Sequence, residues 1–215
     1  MWKMTEFNPQ TATADELWNF YDTKYQSKNP IIRWMLANYF AKISNIISLL
    51  DNHDHLLEVG CGTGVSSRYI LDMLNGQQFQ VSDFDERLIS KLKKTNFPLP
   101  VKMESVLDLK HQDREFDCVF LLEVLEHVTQ YERALSEVFR VSRKYVVVSV
   151  PHEPLWRILN VVRGKYLKGM GNTPSHVNHW SLGCFSRLIS RYGTVLKIYL
   201  PIPWIIVLVQ VKKLF

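Results

Sequence analysis

Gly60, Gly62 and Gly64 end the apolar run Leu56-Leu57-Glu58-Val59, and a helical pattern starts at Val65. A strand that runs through a glycine turn into a helix offers bare backbone and unpaired amides to a nucleotide-like ligand. Asp83 follows about twenty residues on, where a carboxylate accepts hydrogen bonds from ribose hydroxyls. The G-x-G-x-G spacing differs from the dinucleotide pattern G-x-G-x-x-G, because Val65 holds the third-glycine position. That fits a ribose-bearing ligand better than a pyrophosphate. A second set of groups is Glu123, Glu126 and His127, then His152 and Glu153, then His176 and His179. Carboxylates and imidazoles exchange protons with an acceptor or hold a hard or borderline cation.

Elements of alternating type must position these residues. Strands are predicted over 56–59, 79–81, 101–103, 117–122 and 145–150, with helices over 65–74, 86–94 and 131–142. Such alternation predicts a mostly parallel sheet covered on both faces. The stretch between the third and fourth strands is too tight for a helical crossover, so an extended return is expected. Ahead of the sheet, Thr13 caps one predicted helix and Pro30 opens another over 31–50. Together 1–50 form a helical cap on a core spanning 54–150.

After Pro151, residues 154–168 read as a basic amphipathic helix. Leu155, Leu159, Val162 and Tyr166 lie on one side, Arg157, Asn160, Gly164 and Lys168 lie opposite, and Arg163 and Lys165 flank them. A polar loop with His176 and His179 completes a lid over 151–180. A helix capped by Ser181 and two strands, 195–200 and 204–211, form the C-terminal part over 181–215. The expected whole is one domain with seven strands, the last antiparallel.

The length of 215 residues suits a single domain, and 47% hydrophobic with 22% charged residues is ordinary for a globular chain. Cys61, Cys118 and Cys184 form no Cys-x-x-Cys pair, which argues against a disulfide framework or zinc ribbon and for a reducing compartment. Residues 1–6 lack the apolar core of a signal peptide. The apolar stretch over 202–209 is too short to span a bilayer and reads as a buried strand. A cytoplasmic location is expected, with room for peripheral membrane contact. The net charge of +5 suits an anionic substrate or membrane surface but also arises by chance.

The set Glu58-Val59-Gly60-Cys61-Gly62-Thr63-Gly64, then Asp83, then Phe116-Asp117-Cys118-Val119 leading into Leu122-Glu123-Val124-Leu125-Glu126-His127-Val128, resembles the class I S-adenosylmethionine-dependent methyltransferases. The resemblance spans roughly 56–151. It implies an α/β, Rossmann-like methyltransferase fold with S-adenosylmethionine as cofactor. Glu58, Gly60, Cys61, Gly62 and Gly64 would surround its methionine part, and Asp83 its ribose. Phe84 would pack on the adenine, with Ser105 and Val106 at the adenine edge. Ser105 stands where many relatives carry an aspartate. Leu122 and Glu123 would line the methyl group.

The triple Glu123-x-x-Glu126-His127 further resembles a motif of ubiquinone-pathway O-methyltransferases and small-RNA 2′-O-methyltransferases. There, carboxylates and an imidazole bind a divalent metal, and a later histidine completes the set. His176 or His179 stands in that place here. The simpler reading is preferred: Glu126 and His127 bond loop backbone and steady the turn, and a divalent metal is possible but not favoured.

Glu123, His127, His176 and His179 remain the candidate catalytic residues, and the expected reaction is methyl transfer to a small or amphiphilic acceptor at oxygen. The basic helix suits an amphiphilic or lipid-linked acceptor. Its plainer role is a core-packing helix with a solvated basic face. Nucleic acid is disfavoured, since no aromatic-interleaved basic platform is present. Two rivals are a nicotinamide-dependent oxidoreductase, which Val65 disfavours, and a non-catalytic S-adenosylmethionine-binding protein.

Overall fold

The computed structural model describes residues 7–51 and 54–212; the expectation about a signal peptide over 1–6 lies outside them. Helix α1 (Ala14–Asp22) starts as its sequence dictates. The Thr13 side chain accepts from the Glu16 N–H and the Glu16 carboxylate from the Thr13 N–H, a reciprocal capping box. Helix α2 (Pro30–Ile47) opens with the Asn29 side chain accepting from two backbone amides and Pro30 in the first turn.

Seven strands among the described residues form one sheet: β1 (His55–Val59), β2 (Gln78–Asp83), β3 (Val101–Met103), β4 (Phe116–Leu122), β5 (Ser142–Pro151), β6 (Gly193–Tyr199) and β7 (Trp204–Val211). Their order is β3-β2-β1-β4-β5-β7-β6. The first five are parallel, while β7 inserts antiparallel between β5 and β6 as the expected closing hairpin. The return from β3 to β4 contains no helix, as the short spacing required. The order reverses between β1 and β4, which opens a crevice at their C-terminal ends, where ligands of such sheets bind.

Alternation along the strands separates two cores. On one face Leu57, Val119, Leu121 and Val148 pack under α5 (Tyr131–Val141) and α7 (Leu182–Ser190). On the other, Leu56, Phe120, Val147 and Leu208 pack under α2, α3 (Val65–Leu71) and α4 (Glu86–Lys93). Each fully buried side chain of this size contributes about 1.5–3 kcal/mol, so the sheet is a rigid base for the loops at its ends.

The segment after β5 departs from expectation. Helix α6 covers only Leu155–Val162. Gly164 and Tyr166 then take left-handed conformations, and a short 3-10 turn, Leu167–Gly169, follows. The burial is also rotated. Asn160 is buried because its amide donates to the Gly171 carbonyl at 2.9 Å, whereas Val162 is 77% exposed. A polar side chain that finds a partner can displace an apolar one from the packed face.

Candidate active site

The crevice is a cavity of about 1320 Å³. Ligand pockets commonly measure roughly 300–1,000 Å³, so this one has room for a cofactor and an acceptor together. Gly60, Cys61, Gly62, Asp83, Phe84, Ser105, Val106, Leu122, Glu123, His127 and His176 line it. Glu58, Gly64 and His179 do not.

The glycine turn is built by β1 and locked by β2. The N–H groups of Gly60 and Cys61 both donate to the Ser82 carbonyl, at 2.8 and 3.0 Å. The Gly62 N–H donates to the Asp83 carboxylate at 2.8 Å, and the other Asp83 oxygen accepts from the Asp85 N–H. Burial pushes the Asp83 carboxyl above its ordinary range, while these amide donors pull it back. Gly62 has φ +54° and open space where a Cβ would stand, so bare backbone faces the cavity. Gly64 has φ +75° for another reason: a Cβ there would stand 2.6 Å from the Phe97 ring. Its role is close packing.

Glu58 points the other way. Its two oxygens accept from Ser66 Oγ and Ser67 Oγ at 2.5 Å each, at the start of α3. Burial pushes this carboxyl up to about 7, against the pull of the two serine hydroxyls. Phe84 is exposed at the cavity edge, and Ser105 Oγ accepts from the Leu107 N–H at 3.2 Å.

At the end of β4, Glu123 adopts φ +60°, a left-handed conformation that a non-glycine residue holds only at a cost of about 1 kcal/mol or more. Its N–H donates to the Ser149 carbonyl on β5. The turn aims Glu123 at Lys24, whose Nζ lies 2.5 Å from Glu123 Oε2. Burial opposes the Lys24 charge, but the Glu123 carboxylate outweighs it and raises the ammonium pKa. Next come Glu126 and His127 in a short 3-10 turn, Leu125–His127.

Backbone bonds deliver His176 to them from 49 residues away. The N–H groups of Val177 and Asn178 donate to the Glu126 carbonyl, and the Asn178 amide donates to the carbonyls of Leu125 and Val128. Trp156 supports the arrangement, with Nε1 donating to Thr173 Oγ1 and its ring stacked on His176.

The ligand atoms of Glu126, His127 and His176 all lie within 4.8 Å of one another. His127 Nδ1 is 2.9 Å from the Ser175 carbonyl, so Nδ1 carries the proton and Nε2 holds the free lone pair of the neutral ring. Burial lowers the His127 pKa, partly offset by that bond. Burial and the neighbouring His127 push His176 down to about 2. Burial and the Glu123 charge push Glu126 well above the carboxylate range. Glu123 Oε1, Glu126 Oε2 and His176 Nδ1 are buried without a hydrogen-bond partner. His179 lies apart, 3.4 Å from Glu153. Lys24, Trp156 and Trp204 were invisible as site residues, since each reaches the cavity from an element with no chemical spacing of its own.

Residues 57–148 match the family model described as a methyltransferase domain. This match, the sheet order and the glycine turn make that region similar to the methyltransferase domains that use S-adenosylmethionine as cofactor. Among individual proteins, the chain is similar to an uncharacterized protein of Methanocaldococcus jannaschii, 29% identical over 148 residues. That alignment covers 65% of this chain and 63% of the relative, so the chain spans less than two thirds of the relative's length.

The fold is shared with magnesium protoporphyrin IX methyltransferase of Synechocystis, solved with bound S-adenosylhomocysteine. The TM-score is 0.63 and the identity 13%, over 89% of this chain and 93% of that one. A Pyrococcus horikoshii structure matches with TM-score 0.68 and 14% identity, over 90% and 99% of the two chains. No described helix is long and apolar enough to cross a membrane.

Proposed function

We propose that the protein transfers the methyl group of S-adenosylmethionine to an oxygen of a small or amphiphilic acceptor, with Glu126, His127 and His176 at the reacting end of the cavity. The observation that carries this reading is the meeting of acceptor atoms there: unpaired Glu126 Oε2 and His176 Nδ1 beside the ring of His127. Leaving such atoms buried and unpaired costs about 1–3 kcal/mol each, a cost expected where a ligand is to be met.

The cofactor supplies an activated methyl group on a sulfonium, and the protein aligns donor and acceptor for in-line displacement. Gly60, Cys61 and Gly62 would flank its methionine part, Asp83 its ribose and Phe84 its adenine. Ser105 and Val106 would border the adenine edge, and Leu122 would lie near the methyl group. Gly64 shapes the turn by packing. Glu58 would act indirectly, by fixing the start of α3 whose amides face the methionine carboxylate. Helix α1 would cap the cofactor: Arg87, beside the ribose-side loop, donates to the carbonyls of Pro9 and Ala12 just ahead of it. The 151–180 segment would close over the acceptor.

The donor set of Glu126, His127 and His176 fits a divalent cation: one carboxyl, whose proton the cation would displace, and two neutral imidazoles, with two atoms awaiting a partner. When bound, such a cation supplies Lewis acidity that eases loss of the acceptor proton. A metal-free version of the same reaction also has an observation behind it. Lys24 already places a cation on Glu123, and the free Nε2 of His127 can take a proton from an acceptor hydroxyl.

The test is methyl release from labelled S-adenosylmethionine onto extract and lipid pools, with calorimetric titration of the chelator-treated protein by magnesium, manganese and zinc. Turnover with no metal binding selects the Lys24 version, and metal-dependent turnover selects the other. Cofactor binding without turnover on any pool would leave a non-catalytic binder.

A further inference from the structure

The charges of this chain are segregated. Residues 24–50 hold four Lys or Arg and no Asp or Glu, and residues 154–215 hold nine and none. All 21 carboxylate side chains lie elsewhere. The first segment contains α2 and the second α6, and both border the cavity.

Two apolar residues, Ile31 on α2 and Val162 on α6, line the cavity and yet are 64% and 77% exposed. They therefore stand at its mouth. Trp34, one turn from Ile31, is also exposed. Beside Val162, the exposed side chains of Ile158, Val161 and Met170 border one shallow groove. The groove is held rigidly, because Arg157 donates to the carbonyls of Gly169 and Met170 and Asn160 to that of Gly171. Within a few positions of these apolar groups along the chain come Lys28, Arg33, Arg163, Lys165 and Lys168, all exposed, and Arg163 and Lys165 also line the cavity. Among the described residues none of the five forms an ion pair.

We infer that this face seats the mouth of the cavity on an anionic lipid bilayer. Contiguous exposed apolar side chains mark a contact surface. A cationic rim around them, with a tryptophan at the edge, is the chemistry of an interfacial membrane site. Charge complementarity favours an anionic surface over a neutral one. The apolar centre favours lipid over nucleic acid, whose phosphates would meet Ile158, Val161 and Val162 unsolvated. In this orientation an amphiphilic molecule could pass from the bilayer into the cavity without crossing water. The inference goes beyond the proposed reaction and does not rest on it, since binding is read without turnover.

The test is sedimentation of the full chain with phosphatidylcholine vesicles, with and without phosphatidylglycerol. Binding is expected only with the anionic lipid and is expected to fall with added salt. A charge-reversed variant, Arg163→Glu with Lys165→Glu and Lys168→Glu, should lose roughly fivefold or more per residue. Ile158→Asp with Val161→Asp should also weaken binding. Trp34→Ala provides an independent probe on the other helix. Thermal stabilisation by S-adenosylhomocysteine, whose site lies at the glycine turn, reports that each variant is folded. Equal binding to both vesicle types, or binding unchanged in all three variants, would overturn the inference. So would a dimer in sedimentation analysis that Ile158→Asp with Val161→Asp dissolves, which would assign the face to a second copy. Retention of single-stranded RNA without vesicle binding would assign it to nucleic acid.

Discussion

Replacing Glu58 by glutamine should change how stability depends on pH. The Glu58 carboxyl is 1% exposed, and its value of about 7 in the folded protein compares with an ordinary 4.5. Between those pH values the folded state keeps a proton that the unfolded state has released, so rising pH favours unfolding. The stabilising contribution is complete below pH 4.5 and is lost by the time the pH has passed 7. At 1.36 kcal/mol per pH unit, the gap amounts to about 3 kcal/mol.

Glutamine cannot titrate. Its amide can still accept from one of Ser66 and Ser67 and donate to the other, which adds an offset independent of pH. Glu58→Gln should therefore gain on the wild type by about 3 kcal/mol between pH 4.5 and pH 7. For a chain of this length that is a relative shift in Tm of roughly 6–12 °C. Calorimetric melts of both proteins across this range provide the measurement. Parallel curves, or a variant that gains toward acid pH, would refute the assignment of a buried, proton-holding carboxyl at the glycine turn.

S-adenosylhomocysteine at about a hundred times its Kd should stabilise the chain by about 2.7 kcal/mol, or roughly 5–11 °C, and NAD should not. Thermal melts with each ligand decide this. In urea unfolding, Gly64→Ala should cost more stability than Gly62→Ala, about 2–4 kcal/mol against about 1, because only Gly64 adds a clash with Phe97 to its positive φ. The Gly62 variant should instead lose cofactor affinity, measured by calorimetry. In the cation-assisted version of the reaction, His176→Ala and Glu126→Gln should each abolish the divalent-metal binding read by calorimetric titration while His179→Ala leaves it intact, since His179 pairs with Glu153 outside the cluster.

Much of the fold was legible because local rules and the global architecture agree here. The Thr13 capping box, Pro30 in a first turn, the apolar runs of β1, β4 and β5, and the closing hairpin each carry their own signal. The helix after β5 misled because periodicity alone assigned Asn160 to solvent and Val162 to the core. A hydrogen bond to Gly171, which no spacing reveals, turned the helix over.

Sequence alone determined the glycine-turn end of the cavity. The residues of that end lie within a few positions of successive strand ends, so strand order and local turn chemistry suffice to bring Gly60, Gly62 and Asp83 together. Tertiary structure decided the rest. It turned Glu58 from the cavity toward Ser66 and Ser67, brought His176 and not His179 to Glu126 and His127, and brought Lys24 onto Glu123 from 99 residues away. Those choices depend on long-range backbone bonds, such as those from Val177 and Asn178 to Glu126. Such bonds leave no periodic trace along the chain, because their partners are selected by three-dimensional packing.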